Sequence, residues 1–523
     1  MTFSTTRTLA PIALAMLLTG CAVGPDYQAP MVSIAESYLH TNTTNTASSD
    51  LWWQQLNDDT LNLLINDMQQ QNVSLKVAAE RIKMANQYQT MVASFKVPTI
   101  SVGAGYYNYQ ISKNDSLAGP LVNPIAIPPV SPQLPSNVTL MDNQHDGGYI
   151  GASIAWELDL FGRIDRQADA AQIRVEQAEI MTSGLNTLLT ADLIHNYLQY
   201  RGAQERKALA QANIEDQRKT RQLIKRVVKS GYGSQLDYAQ ATAALAATEA
   251  LIPQLEIAEQ AHKHRIALLL NEPLTQVDIR LARSEKFPTL QGVIPTGLPS
   301  DLLKRRPDIR AAEREMAAIN EELAASIANR YPKFFLTGTP GVSASSFDDL
   351  FSSDSLGWAG TVGVNWNVFD GGRGKAAVKM NEARFQSAAL QYEHTVNAAI
   401  TEVDSSLFAY GRSQETQKQI DEALAATDLA VSKARSLYKA GLIDHLSVLD
   451  AQRQQRMVQD SQLAARLQTA NITIAVYKAL GGDWQITPPP SEQQPIQTAN
   501  SNEASEASEA SGVSGVSETL VSL

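Results

Sequence analysis

The chain has 523 residues and a formal net charge of −11, which argues against nucleic acid as a partner. Its single cysteine, Cys21, excludes an internal disulfide framework, so packing must supply the stability. No stretch after the first twenty residues is long and apolar enough for a transmembrane helix. Any part that crosses a membrane would have to consist of strands, because lipid tolerates only helices and closed barrels.

The first twenty residues have the layout of a secretory signal, since Arg7 precedes an apolar run from Leu9 to Leu18 that is too short to span a bilayer. The residues Leu18-Thr19-Gly20-Cys21 resemble the lipobox of bacterial lipoproteins. That resemblance implies cleavage before Cys21 and attachment of an S-diacylglycerol and an N-acyl chain to it. Ala22 replaces the aspartate of inner-membrane retention signals, which implies the outer membrane of a Gram-negative cell. An ordinary secretory signal with an incidental cysteine is the alternative.

An internal duplication organises the mature chain. The segment from Trp156 to Arg163 matches the segment from Trp366 to Arg373. Similarly, Val228-Lys-Ser-Gly231 matches Tyr438-Lys-Ala-Gly441. Both pairs are 210 residues apart (366 − 156 and 441 − 231). This constant offset predicts two structurally similar halves.

Each half contains two segments in which apolar and polar residues alternate, as in a strand with one apolar face. These segments are 99–107 and 149–158 in the first half, and 334–346 and 357–368 in the second. Strands of about 9–11 residues with one large apolar face fit the wall of a transmembrane barrel. A half-buried sheet in a soluble protein alternates in the same way, so the pattern leaves both interpretations open.

Four strands cannot close a membrane barrel within one chain, because single-chain barrels begin at about eight strands. Open edges in lipid would leave backbone groups unsatisfied, so the chain would have to assemble with copies of itself. Two copies would supply the minimum number of strands with a filled interior, whereas three would leave room for a channel. The strand pattern alone does not choose between two and three.

Long helices separate the two strand pairs. Residues 163–229 contain no proline, and residues 373–440 repeat this composition. Partner helices are predicted to return over 234–271 and 444–481, which gives two hairpins. Apolar residues at alternating spacings of four and three, as in Leu463-x3-Leu467, predict coiled-coil packing between these helices.

Specific residues define where the predicted helices end. Gly231 and Gly441 are expected to end the outgoing helices in left-handed conformations. Ser234 and Asp444 are expected to cap the returning helices. Pro253 is expected to kink the helix that contains it.

Three segments lack helix or strand periodicity. Residues 112–146 contain six prolines and are predicted to form a loop. Residues 272–307 contain five prolines and are predicted to form an irregular joint between the halves. After Pro488 the chain is rich in Ser, Glu, Ala and Gly, and we expect this tail to be disordered.

Five motifs together resemble those of one family, and they are Cys21-Ala-Val-Gly-Pro-Asp-Tyr27, Trp52-Trp53, Trp156–Arg163, Leu298–Ile309 and Val448–Arg453. Over residues 21–486 the chain resembles the lipidated outer-membrane factors of tripartite efflux pumps, the NodT-type members of the TolC/OprM superfamily. The resemblance implies a homotrimer whose twelve-stranded barrel continues into a periplasmic barrel of coiled helices. It also implies two partners, a periplasmic adaptor and an inner-membrane pump of the RND or a related class.

The predicted fold class is an α+β membrane protein with an internal two-fold repeat, four transmembrane β-strands per chain and long coiled α-helices. The predicted parts are the signal peptide 1–20, the lipidated N-terminus and first helices 21–97, the first strand pair with its extracellular loop 98–158, the first helical hairpin 159–271, the equatorial linker and helix 272–331, the second strand pair 332–369, the second helical hairpin 370–486 and the acidic tail 487–523.

A conduit acts through steric and electrostatic effects, so the candidate site residues are those at its periplasmic end. By the resemblance, Asp450 would belong to a ring of aspartates at a narrow gate, although the second ring position is Ser447 here. Asp237 matches an acidic residue that is tied to an arginine in TolC-like members, but the corresponding basic position is Ile443. A solvated helix surface is the alternative role for both aspartates.

The turns at Gly231 and Gly441 are expected at the periplasmic tip of the conduit. Leu442 and Ile443 would place apolar side chains on this water-facing tip, which favours contact with the adaptor. We therefore take Gly231, Gly441, Leu442 and Ile443 as candidate adaptor contacts. Simple helix capping is the alternative interpretation of these turns.

Enzymatic interpretations have little support in the sequence. Glu157 and Asp159 could imitate the paired carboxyls of a glycosidase, but the repeat has Asn367 in the mirrored place. His262 and His264 are two residues apart on a predicted helix and point apart, which is poor geometry for a metal. We expect no enzymatic activity, no metal and no cofactor other than the lipid on Cys21.

The favoured function is passive export of drugs or other toxic solutes through the outer membrane. Two alternatives stay open. The same channel could export peptides, proteins or metal ions, or the chain could be a trimeric coiled-coil surface anchor that does not transport.

Overall fold

The structure is a computed structural model, and it describes residues 23–30, 32, 37–40, 52–126, 137–282, 287 and 299–482. The predicted signal peptide, the lipidation site Cys21 and the predicted tail 487–523 therefore lie outside the described residues. Residues 283–286 and 288–298 of the predicted joint 272–307 also lie outside them. The prediction of an irregular joint is wrong for its first part, which forms a helix over Leu274–Leu281.

Eleven helices are described, and their bounds are α1 Asp59–Gln71, α2 Val73–Ala93, α3 Gly119–Val122, α4 Arg163–Lys229, α5 Gln235–Glu249, α6 Leu251–Leu270, α7 Leu274–Leu281, α8 Leu302–Arg305, α9 Pro307–Ala328, α10 Arg373–Lys439 and α11 His445–Ala479. Among these, none has the length and apolar character needed to cross a membrane. The strands are β1 Thr99–Gln110, β2 Ile125–Ala126, β3 Asn137–Val138, β4 Gln144–Leu158, β5 Lys333–Gly338, β6 Gly341–Ala344, β7 Leu356–Gly357 and β8 Gly360–Asn365.

The main sheet has four antiparallel positions, which we call rows, and a row is either one strand or two short strands that follow one another along the same neighbour. β4 pairs with β1 on one side, and with β5 and β6 on the other. β5 pairs in turn with β8, and β6 with β7, so these short strands form two interrupted rows. The four rows correspond to the four alternating segments predicted from the sequence, which confirms that prediction. Apolar side chains such as Ile100, Val102 and Val362 are exposed on this sheet.

The two halves repeat the same construction, which confirms the predicted duplication. α4 and α10 are both 67 residues long and begin 210 residues apart, at Arg163 and Arg373. The Trp156 Nε1 donates a hydrogen bond to the carbonyl of Lys96 at 3.0 Å, and the Trp366 Nε1 donates to the carbonyl of Arg330 at the same distance. Each tryptophan therefore ties the end of one strand row to the chain entering the preceding row.

The first returning helix is interrupted at Ala250, between α5 and α6. This break lies one turn before Pro253, where a proline removes the hydrogen bond to the carbonyl four residues earlier, so it agrees with the predicted disruption by Pro253. Pro253 is the third residue of α6, where its missing N–H would have no helical partner in any case. The second return, α11, is continuous over 35 residues.

The predicted loop 112–146 contains more regular structure than expected. Pro120 is accommodated in the first turn of the short helix α3, and β2 pairs with β3. The loop also ends earlier than predicted, because β4 begins at Gln144 and pairs with Gln110. Residues 127–136, which include four of the six prolines, lie outside the described residues.

The hydrophobic core lies where α1, α4, α6 and α11 meet. Leu61, Ile194 and Ile266 are fully buried there, together with Val476. Coiled-coil contacts extend away from this core, and Gly202 of α4 allows α11 to approach closely. A Cβ atom at Gly202 would lie 2.7 Å from the side chain of Leu467.

One buried polar contact fixes the first helix in this core. The carboxyl of Asp58 accepts a hydrogen bond from the backbone N–H of Leu61 at 2.9 Å, which caps α1. The same carboxyl accepts a bond from the hydroxyl of Tyr197 at 2.6 Å. Burial, followed by the bond to Asp58, raises the pKa of Tyr197 well above its usual value, so this hydroxyl remains a donor.

We predict that Asp58→Ala lowers the free energy of unfolding by about 2–4 kcal/mol, because it removes a helix cap and leaves a buried hydroxyl without its acceptor. Asp59→Ala is the matched control, because Asp59 is exposed in the first turn of the same helix and its loss affects mainly the helix dipole. Denaturant unfolding followed by circular dichroism measures both changes. Equal effects of the two substitutions would contradict this account of Asp58.

Candidate functional site

The helices continue the order of the strands. In the sheet the order of rows is β1, β4, β5 with β6, and β8 with β7. The helix joined to each row follows the same order, since α2 packs on α4, α4 on α9 and α9 on α10. Farther from the sheet, α10 packs on α11, α11 on α4, and α4 on α5 and α6. Sheet and helices therefore form one continuous wall.

Both ends of this wall are open within the described part of the chain. β1 and β8 lie at the two edges of the sheet, and α2 and α10 lie at the corresponding ends of the helix row. Exposed apolar side chains follow both terminal helices, and they are Val73, Val77, Met84, Tyr88 and Met91 on α2, with Met380, Leu390, Phe408, Leu429 and Leu437 on α10. The edge carrying β1 and α2 could therefore pack against the edge carrying β8 and α10 of another copy.

A group of ion pairs holds the middle of the wall together. Arg174 of α4 contacts Glu315 and Glu322 of α9, and Arg384 of α10 contacts Glu322 at 2.8 Å. Arg314 of α9 reaches back to α4, and its guanidinium lies 3.0 Å from the carboxylate of Glu176. Each partly exposed pair contributes little by itself, but shared partners fix the register of three adjacent helices.

The N-terminal segment 23–30 lies along α9. The N–H of Val23 donates to the carbonyl of Phe161 at 3.3 Å, where β4 has ended and α4 is about to begin. Asp26 pairs with Arg166 at 2.9 Å, and the Tyr27 hydroxyl donates to Glu313 at 2.6 Å. Burial, followed by this bond, raises the pKa of Tyr27 well above its usual value. The residue two positions after Cys21 is thus held at the junction of sheet and helices.

The two hairpin ends have the predicted capping geometry. Gly231 and Gly441 have φ angles of +80° and +73°, which glycine adopts without strain. The Ser234 hydroxyl accepts from the N–H of Leu236 at 3.0 Å, and the Asp444 carboxyl accepts from the N–H of Ser447 at 2.9 Å. The glycines are therefore explained by helix termination.

Leu442 takes part in the cap, since its N–H donates to the carbonyl of Leu437 at 3.0 Å. Its side chain is nevertheless 71% exposed, and Ile443 is half-buried. A contact between this tip and an adaptor stays a prediction for Gly231, Gly441, Leu442 and Ile443.

Asp450 has a partner that the sequence reasoning missed. Its carboxylate accepts a hydrogen bond from the Arg453 guanidinium at 2.7 Å, and both side chains are exposed. The spacing of three residues on one helix was the available signal for this pair. One turn farther on, burial and the charge of Arg453 lower the pKa of Arg456. The candidate gate therefore carries arginines as well as an aspartate.

Asp237 lies elsewhere, in the first turn of α5, and is half-buried. Within the described residues it forms no side-chain hydrogen bond or ion pair that would tie it to the second hairpin. Ile443, at the position where related proteins are expected to carry a basic residue, supplies no charge. A gate role for Asp237 and Asp450 stays a prediction.

The residues considered for catalysis have structural partners. Glu157 forms an ion pair with Arg163 at 2.9 Å. The carboxyl of Asp159 accepts from the backbone N–H groups of Ile164 and Asp165, so it caps the first turn of α4.

The two histidines considered for metal binding lie in different surroundings. The Nδ1 of His262 lies 3.0 Å from the Oδ1 of Asn196, and His264 is exposed. Within the described residues, no three His, Cys, Asp or Glu side chains are grouped as metal ligands would be.

Comparisons with known proteins agree with this architecture. The family described as "Outer membrane efflux protein" matches residues 64–272 and 298–482. Nodulation protein T of Rhizobium leguminosarum bv. viciae is 28% identical over 499 residues, which cover 94% of this chain and 98% of that protein. The solvent efflux pump outer membrane protein SrpC of Pseudomonas putida is 26% identical over 499 residues, with coverages of 91% and 98%.

A solved structure described as the outer-membrane channel OprN has a TM-score of 0.78 to this chain at 32% identity. The alignment covers 89% of this chain and 100% of that chain. The predicted fold class is thereby confirmed. This chain belongs to the outer membrane efflux protein family.

Proposed function

We propose that three copies of this chain form an outer-membrane conduit for drugs and other toxic solutes. An inner-membrane pump would deliver these solutes through a periplasmic adaptor. One observation carries this proposal. The helices lie side by side in the same order as the strands to which they are joined, and the wall that they form has two open, apolar edges. Repeated head-to-tail contact between such edges generates a ring. Because the edges run along both sheet and helices, the ring encloses one lumen throughout.

Three copies fit the strand number better than two. Each copy supplies four rows, and an eight-stranded closure would have an interior filled by side chains. Twelve strands leave space for a solute. The name of SrpC specifies solvent efflux, which supports amphiphilic toxic compounds as the cargo class of this chain.

Transport through such a conduit is passive, and it requires no catalytic group in this chain. Glu157 and Asp159 are engaged in an ion pair and a helix cap, which supports a structural role for both. The pump would supply the energy, and the conduit would act through its diameter and the charges along its lumen.

The function is tested by single-channel recording of the purified protein in planar bilayers, together with drug susceptibility of a deletion strain. We expect defined conductance steps from a trimer, because a closed wall encloses a continuous aqueous path. We also expect the deletion strain to accumulate more of an amphiphilic dye. A surface anchor without a through-pore would give neither result, and unchanged susceptibility with normal conductance would point to peptide, protein or metal export.

Asp450→Ala is expected to raise the conductance of the closed state or to weaken the preference for cations. The substitution removes a carboxylate and leaves the Arg453 guanidinium without its partner, so the local charge becomes more positive. Reversal potentials in a salt gradient measure the change. Glu415→Ala is the matched control, because Glu415 forms the same type of exposed pair, with Arg412, on α10. If both variants keep the wild-type conductance and selectivity, Asp450 does not line the gate.

We also propose that Cys21 carries the lipid, since the segment that follows it is fixed where the sheet meets the helices. An acyl chain attached there would enter the membrane layer next to the periplasm. Cys21→Ala is expected to abolish incorporation of labelled palmitate, because the chain has no other cysteine. Ala22→Asp is the companion variant, and it should keep the label but move the protein to the inner membrane. A mature N-terminus without lipid in the wild type would refute this assignment.

A further inference from the structure

The ends of the two outgoing helices are strongly basic, although the chain as a whole carries a net charge of −11. Residues 219–229 and 429–439, the last three turns of α4 and α10, contain no aspartate or glutamate. They contain eight cations, which are Lys219, Arg221, Lys225, Arg226, Lys229, Lys433, Arg435 and Lys439. These two helix ends are thus opposite in charge to the chain as a whole, and the returning helices of the same hairpins add Asp237, Asp444 and Asp450 beside them.

Six of these eight cations have no carboxylate partner in the described part of the chain. The exceptions are Lys219, 3.6 Å from Glu215, and Arg435, 3.6 Å from Asp216. The contact between Arg435 and Asp216 joins α10 to α4, so both groups of cations lie at the same end of the molecule. We call the remaining six the basic collar, and they are Arg221, Lys225, Arg226, Lys229, Lys433 and Lys439. Arg221 is half-buried and the other five are exposed.

Stabilisation of the helix ends does not account for the whole collar. A helix dipole favours cations within its last turn, where Arg226, Lys229 and Lys439 are found. Arg221 and Lys433 lie beyond that turn. Elsewhere on α4, Arg206 and Arg218 are paired with carboxylates at 2.7 Å. Like charges left unpaired so close together repel one another, so the collar is expected to have an external partner.

Apolar side chains accompany the collar at the same hairpin ends. Tyr232 is 91% exposed, Leu442 is 71% exposed and Leu236 is 63% exposed. Protein interfaces commonly combine an apolar centre with a polar, charged rim. A polysaccharide partner would use the cations and could stack on Tyr232, but it would gain little from Leu236 and Leu442.

We propose that the basic collar docks an acidic protein surface, namely carboxylates that surround an apolar tip on the periplasmic adaptor. This inference rests on the proposed function and specifies the chemistry of the partner. Complementary charge accelerates the encounter of two proteins and excludes partners of the wrong sign. The collar would therefore select the adaptor, while the apolar tip residues would supply contact area.

The test measures binding of the full-length trimer to a purified adaptor. The adaptor is taken from the same bacterium and is the one that restores export when it is expressed with this channel. Two charge reversals are compared, Lys225→Glu/Lys229→Glu on α4 and Lys433→Glu/Lys439→Glu on α10. The matched control is Lys375→Glu/Lys379→Glu, since both lysines are exposed on the opposite end of α10. Conductance in planar bilayers verifies that each variant still forms the channel.

We expect wild-type affinity to fall by about tenfold or more from low to high NaCl, because long-range attraction between charged surfaces is screened by salt. Each collar variant should lose a similar factor at low salt and show a weaker salt dependence. The control should bind as the wild type does.

Three results would overturn the inference while leaving the conduit intact. The first is adaptor binding that is insensitive to salt and to both collar variants. The second is tighter binding of the adaptor by the glutamate variants. The third is binding of purified peptidoglycan sacculi that the variants abolish while adaptor binding is unchanged. If the wild-type protein showed no channel conductance in planar bilayers, that result would instead contradict the proposed function.

Discussion

An incomplete wall is the constraint on which the rest of this structure depends. The outer edge of β1 and the outer edge of β8 each present backbone N–H and C=O groups that four strands cannot satisfy among themselves. In a membrane such groups cost several kcal/mol each, so the edges must be paired. Because α2 and α10 extend the same two edges with exposed apolar side chains, one contact between copies closes sheet and helices together. Assembly and formation of the lumen are thus the same event.

Within one copy, rigidity comes from contacts that tie distant parts of the chain to the long helices. Trp156 and Trp366 fasten equivalent strand rows, and Asp58 with Tyr197 fastens the first helix in the core. Shared carboxylates such as Glu322 connect three neighbouring helices through Arg174 and Arg384. These contacts fix neighbouring helices and strands of the wall relative to one another.

Charge is distributed unevenly along the molecule. The chain is acidic overall, yet its hairpin ends are basic, and Asp450 is paired with Arg453 at the candidate gate. A conduit that admits many solutes gains little from a tight cargo site, because strong binding would slow release. Selection among solutes is more effective if it depends on which adaptor and pump bind to the conduit. The basic collar and the exposed apolar tip lie where that choice would be made.

The sequence by itself determined the features that depend on local patterns. The absence of proline predicted α4 over residues 163–229, and a constant offset of 210 revealed the second half. Regular apolar spacing, as between Leu463 and Leu467, predicted the coiled-coil packing. Family motifs extended this to the fold class and the candidate residues. Only the tertiary structure decided that strands and helices share one order, that the break in the first return lies at Ala250, and that Arg453 and the segment 23–30 have their particular partners. These features depend on contacts between residues far apart in the chain or on side-chain geometry, which periodicity does not specify.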